Sequence, residues 1–116
     1  MRVKGGVVAR RRRNKVLKRA SGYYSSGSRL FIYAKERNDR ALAYAYRDRK
    51  QKKRHFRKLW ITRISAATKL NGVSYSKFMG ALLKTEIDLD RKVLADMAIF
   101  DPKAFSELVQ KVMPKQ

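Results

Sequence analysis

The first seventy residues hold 23 lysines and arginines against three acids, Glu36, Asp39 and Asp48. Like charge at that density repels itself, so this stretch cannot make an ordinary compact domain on its own. It needs a polyanion to complete it. The remaining 46 residues hold seven basic and six acidic residues and are nearly neutral. Almost all of the chain's net charge of +21 therefore sits in its first part. The imbalance divides the 116 residues into a basic arm and a small module able to fold alone, and it argues against a single compact enzyme.

Several chemistries are missing. There is no cysteine, which removes disulfides, thiolate nucleophiles and Cys-ligated zinc. No apolar run approaches the ~18 residues of a membrane span. Arg10-Arg11-Arg12-Arg13 cuts short any signal-peptide apolar stretch after Met1–Ala9. Residues 1–28 share the Arg- and Ser-rich, acid-poor make-up of a transit peptide, but the basic character continues far past any cleavage point. The four arginines also fit a nuclear-localisation patch, an unspecific signal in so basic a chain. His55 is the single histidine and has no triad partner. Asp88-Leu89-Asp90 is a weak metal signal, and helix capping explains Asp88 more cheaply. Gly5-Gly6 is not followed by the spaced glycines or Lys-Ser/Thr of a phosphate loop. The expectation is no active site, no metal, no cofactor and no small-molecule substrate.

Residues 2–20 carry nine cations and no acid: Arg2, Lys4, Arg10, Arg11, Arg12, Arg13, Lys15, Lys18 and Arg19. Residues 8–20 have helix propensity, yet repulsion opposes a free helix. The segment is expected to be disordered in solution and helical when bound, with Ser21-Gly22 as the stop. Tyr23-Tyr24-Ser25-Ser26-Gly27-Ser28, followed by Arg29, reads as a loop. From Leu30 to Leu70 there is neither Gly nor Pro. One continuous helix, stopped by Asn71-Gly72, would run ~60 Å at 1.5 Å per residue.

The centre of that helix, Arg47-Asp48-Arg49-Lys50-Gln51-Lys52-Lys53-Arg54-His55-Phe56-Arg57-Lys58, is eight-twelfths basic. At 100° per residue the cations cover roughly two-thirds of the circumference, and Asp48, Gln51 and His55 share the rest. A solvated face normally mixes signs at i,i+4; here only Asp48, through Lys52, offsets the run. Nucleic-acid contact is the expected use. The pattern then turns apolar. Phe56, Trp60, Ile64 and Ala67 make one stripe with Leu59, Ala66 and Leu70 beside it, and Trp60 reads as core rather than as a stacking residue.

Three further helices are predicted. Ser74 caps one carrying Tyr75, Phe78, Met79, Leu82 and Leu83. Asp88 is the candidate cap of the next, with Leu89, Val93, Leu94, Met97 and Ala98 inward. Asp101-Pro102 opens the last, with Phe105, Leu108, Val109, Val112 and Met113 on one face and Pro114 as its stop. The fold class expected is all-α: a long basic N-terminal helical extension, residues 1–55, and a small C-terminal helical domain, residues 56–116.

Tyr44-Ala45-Tyr46-Arg47-Asp48-Arg49-Lys50-Gln51-Lys52-Lys53-Arg54, then Phe56-Arg57-Lys58-Leu59-Trp60-Ile61 and Arg63-Ile64, resembles the bacterial large-subunit ribosomal protein family numbered twenty. Asn71–Phe78, Leu89–Asp96, Arg2-Val3-Lys4 and Gly22-Tyr23-Tyr24 extend the likeness over nearly the whole chain. The resemblance implies the same two-part fold and direct binding to the second domain of the large ribosomal RNA. It also implies a role early in large-subunit assembly, a place beside the large-subunit protein numbered twenty-one, and a cytoplasmic location in the ribosome. Two departures stand out. Gly5 replaces a usual basic residue, and Lys35–Arg40 is more charged than is common, with Glu36 placed to pair with Arg40.

The expected mechanism is phosphate neutralisation with counterion release. The candidate contacts are the nine cations of residues 2–20, Tyr23, Tyr24 and Arg29, then Arg47, Arg49, Lys50, Lys52, Lys53, Arg54, Arg57 and Lys58. Tyr44 and Tyr46 either stack on bases or are buried. Two rival readings are a DNA-compacting architectural protein and a membrane-active cationic helix. The second needs a large apolar face, and residues 47–58 offer only Phe56.

Overall fold

The structure, a computed structural model, describes residues 2, 4–85 and 87–113. Five α-helices follow in order: α1 (Gly6–Arg19), α2 (Phe31–Leu70), α3 (Tyr75–Leu82), α4 (Arg91–Phe100) and α5 (Pro102–Val112), with a short 3-10 turn at Ser25–Ser28. The all-α expectation holds, with no strand among the described residues. Contacts gather the chain into two units, Met1–Lys50 and Gln51–Gln116. The Gly- and Pro-free stretch forms α2, 40 residues long, which contributes to both.

In the first unit, α1 has no buried residue. It stops where Ser21-Gly22 predicted. Gly22 turns the chain at φ +86°, a conformation that suits glycine, and the Tyr23 N–H donates to the Ala20 carbonyl at 3.1 Å. Residues 23–28 are more ordered than the expected loop. Ser25–Ser28 wind into a 3-10 turn, after which the Leu30 N–H donates to the Ser26 carbonyl at 2.9 Å. Nor is this unit without an interior. Ala20, Gly27, Ala34 and Asn38 are all buried. Small residues allow close approach where α1 ends and α2 begins, and they leave no apolar periodicity to read in advance.

The second unit has a core of Ile64, Phe78, Leu82, Leu94, Ala95, Phe105, Val109 and Val112. The Phe78 and Phe105 rings pack at 5.6 Å between centroids, tilted by 47°. Trp60 and Ala67 pack half-buried against this core, which bears out Trp60 as a core residue. The stripe is shorter than expected, since Phe56 is 45% exposed and Leu59, Ala66 and Leu70 are exposed too. Phe56 lies two turns before Ile64, ~12 Å along the helix at 1.5 Å per residue, beyond the reach of the core. Thr68, by contrast, is fully buried, its hydroxyl donating to the Ser65 carbonyl at 3.1 Å.

The ends of the helices explain most of the topology. At Asn71-Gly72, Gly72 (φ +74°) donates to the Lys69 carbonyl and Val73 to the Thr68 carbonyl at 3.0 Å. Those two bonds satisfy the last carbonyls of α2 in a Schellman motif. The Ser74 hydroxyl accepts from the Lys77 N–H at the start of α3. The Asp101 carboxylate accepts from the Ala104 N–H at 3.0 Å, with Pro102 at the first position of α5. Pro114, the expected stop, lies outside the described residues.

Three expectations are corrected. The cap of α4 is Asp90, not Asp88: Asp90 accepts from the Val93 N–H at 2.8 Å, and the helix starts at Arg91. With that start, Leu94 and Ala95 face the core and Val93 is exposed, 100° away from Leu94. Leu83 is 82% exposed because α3 ends at Leu82.

Thermal unfolding of the full chain, followed by helical circular dichroism, checks this account. Asp90→Ala should cost ~1 kcal/mol and Asp88→Ala no more than about 0.5 kcal/mol. Phe105→Ala should cost ~3–5 kcal/mol. Equal losses at the two aspartates would contradict the assigned cap.

Candidate nucleic-acid interface

Half of α1 is cationic. Arg10, Arg11, Arg12, Arg13, Lys15, Lys18 and Arg19 are all exposed, and no acid lies in the helix to offset them. Lys18 and Arg19 fall in its last turn, where cations favour the helix dipole. Arg2 and Lys4 are exposed ahead of it. Arg13 sits over the Phe31 ring, 5.6 Å from its centroid, a cation–π contact between α1 and the first turn of α2.

The connection between α1 and α2 is held by a residue that the sequence does not single out. An Arg37 Nη1–H donates to the Tyr24 carbonyl at 2.6 Å. Gly27 makes room for it, because a Cβ at Gly27 would run into the Arg37 guanidinium. Tyr24 is thereby fixed by its backbone while its side chain stands 87% exposed. Tyr23 is half-buried and Arg29 exposed. Gly22, Tyr23, Tyr24, Arg37, Arg40, Ala41 and Tyr44 border a shallow groove.

Further along α2, Tyr44 and Tyr46 are exposed, which excludes the buried alternative for both. Each supports a cation. Arg47 lies over the Tyr44 ring at 4.7 Å, and Lys50 Nζ donates to the Tyr46 hydroxyl at 2.6 Å. Asp48 pairs with its neighbour Arg47 at 2.8 Å rather than with Lys52. That hydrogen bond, followed by the carboxylate's charge, raises the Arg47 pKa above its ordinary value. Glu36 and Arg40 form the expected i,i+4 pair at 2.8 Å. Both pairs are exposed, and such pairs add little to stability.

Arg49, Lys52, Lys53, Arg54, His55, Arg57 and Lys58 also lie on α2, every one exposed. Phe56 leans on Trp60 with ring centroids 6.3 Å apart. Among the described residues no group of three or more His, Cys, Asp or Glu could hold a metal. No described helix is long and apolar enough to cross a membrane.

The profile of the family described as ribosomal protein L20 matches residues 2–108. The chain belongs to the ribosomal protein L20 family. A large ribosomal subunit protein bL20 of Pelobacter propionicus is 64% identical over 107 residues, 92% of each chain. One from Geobacter metallireducens is 63% identical over the same share of both chains. Another, from Bdellovibrio bacteriovorus, is 56% identical over 112 residues, 97% of each chain. The L20 match takes in α1, the Gly27–Arg37 contact, the whole of α2 and the core-forming residues up to Leu108.

The Gly27–Arg37 contact can be tested in this L20 chain without changing its charge. Gly27→Ala should push the guanidinium off the Tyr24 carbonyl. The loss of one hydrogen bond of ~1 kcal/mol should lower affinity for a folded RNA roughly fivefold in filter binding. The slope of log affinity against log salt should not change. A shallower slope would mean that Arg37 contacts phosphate instead.

Proposed function

We propose that this chain is a structural constituent of the large ribosomal subunit, without catalytic activity, that binds large ribosomal RNA directly and promotes early subunit assembly. The observation that carries the reading is α1, a 14-residue helix with seven cations, no acid and no buried residue. A helix that buries none of its residues has no protein core to hold it. A surrounding polyanion supplies what is missing. Family membership and the names of the relatives support RNA as that polyanion over the DNA-compacting alternative.

On this reading residues 1–55 form an extension that orders on RNA, and residues 56–116 fold as a domain without it. The cations of α1 and α2 neutralise phosphates and release condensed counterions. Such contacts position the protein without reading sequence, so selectivity comes from the shape of the folded RNA. Inserted where RNA helices converge, these cations screen phosphate repulsion and hold the junction. The finer assignments that the family likeness implies belong to the same proposal. They are the second domain of the large ribosomal RNA, the large-subunit protein numbered twenty-one as a neighbour, and a cytoplasmic place in the ribosome.

Lys52, Lys53 and Arg54 are consecutive on α2 and point 100° apart. RNA surrounding the helix would engage all three, whereas a flat RNA surface would not reach both Lys52 and Arg54. Each residue replaced singly by Gln should weaken binding to a large ribosomal RNA transcript. Each should also make the log–log salt slope shallower by ~0.7–0.9. Glu36→Gln, which releases Arg40, should strengthen binding or leave it unchanged. Sensitivity on one side only would replace enclosure by surface docking. Equal affinity for duplex DNA at matched salt would overturn the RNA reading.

A further inference from the structure

The groove beside the Gly27–Arg37 contact differs in chemistry from the cationic faces around it. It is shallow and open to solvent, with a volume of ≈ 480 Å³. Tyr23, Tyr24 and Tyr44 give it three phenol rings, and Gly22 and Ala41 add almost no side-chain bulk. Its charged residues, Arg37 and Arg40, are both guanidinium groups, and no carboxylate lines it. Arg37 is tied to the Tyr24 carbonyl, which sets that edge of the groove. Arg47 covers one face of the Tyr44 ring at 4.7 Å. Yet Tyr24 stands 87% exposed and Tyr44 53%, and protein packing does not account for aromatic rings held in the open. An open groove with aromatic walls and a cationic rim suits a planar, apolar-faced group attached to an anionic chain.

We propose that this groove receives one unpaired nucleobase of the large ribosomal RNA. The base stacks on Tyr44 opposite Arg47 and lies against Tyr24, and its flanking phosphate faces Arg40. The proposal rests on the RNA-binding reading above and adds to it a site for a single base within an otherwise electrostatic contact. Stacking on aromatic side chains is how proteins hold bases that have left the helix. Arg37 acts here as a positioning residue, through Tyr24.

The test uses the full chain and a large ribosomal RNA transcript. Tyr44→Leu keeps apolar bulk but removes the planar face, and Ala41→Leu fills the groove from α2 with a good helix former. Each should weaken binding roughly 5- to 150-fold, the usual loss for one stacked base, without altering the salt slope, because no cation is removed. Tyr44→Phe should bind within about twofold of the parent. Ultraviolet cross-linking followed by nuclease and protease digestion should leave a nucleotide on a peptide containing Tyr24 or Tyr44. Parental affinity in both leucine variants, or a loss accompanied by a shallower slope, would overturn the groove assignment while leaving RNA binding intact. A parent chain with no salt-dependent affinity for the transcript would instead defeat the RNA-binding reading itself.

Discussion

Uncompensated positive charge is the constraint on which the rest of this protein depends. Among the described residues the ion pairs are Glu36–Arg40 and Arg47–Asp48, both exposed. The cations of α1 and most of those on α2 have no acidic partner among the described residues. Apolar burial does not make up the difference in the first unit, where the buried positions among the described residues are Ala20, Gly27, Ala34 and Asn38. Burial of such small side chains removes little apolar surface from water. On the function proposed above, the partner that balances the charge is the same partner that completes the structure, and folding and binding of the first unit are one event.

The second unit uses the opposite means. Past α2, residues 71–116 hold seven basic and six acidic residues, and eight buried apolar residues from α2, α3, α4 and α5 meet in one core. A core of that size is marginal, and no disulfide is available to reinforce it. The helix ends compensate. The Schellman bonds at Gly72, the Asp90 cap and the Asp101–Pro102 start each satisfy backbone groups that would otherwise be lost to folding. On the proposed reading, this arrangement gives the chain one part that is stable by itself and one part free to follow the contours of RNA.

Much of this was legible in the sequence wherever a local rule acts alone. The absence of Gly and Pro from Leu30 to Leu70 sets α2, and Asn71-Gly72 ends it. Asp101-Pro102 starts α5 because capping and a fixed proline φ favour the same position. The start of α4 was less legible, since Asp88 and Asp90 are equally good caps by composition. The choice between them rests on which face of the helix meets Phe78 and Phe105. The cationic residues were readable because charge needs no tertiary information. The Arg37–Tyr24 bond was not, because it joins a side chain to a backbone carbonyl thirteen residues away. No periodicity records such a contact. Arg37 and Ala41, ordinary helix residues by pattern, acquire their role only through the turn that faces them.

The central claim is that the first unit is completed by RNA and the second is not. Amide hydrogen exchange on the full chain, with and without a large ribosomal RNA transcript at physiological salt, tests it directly. Without RNA, amides of α1 and of α2 up to Lys50 should exchange nearly as fast as an unfolded chain, while those around Ile64, Leu94 and Val109 stay protected. With RNA, the first group should gain strong protection and the second should change little. Strong protection of α1 in the RNA-free chain would contradict the account, because the helix would then be held by something other than a polyanion.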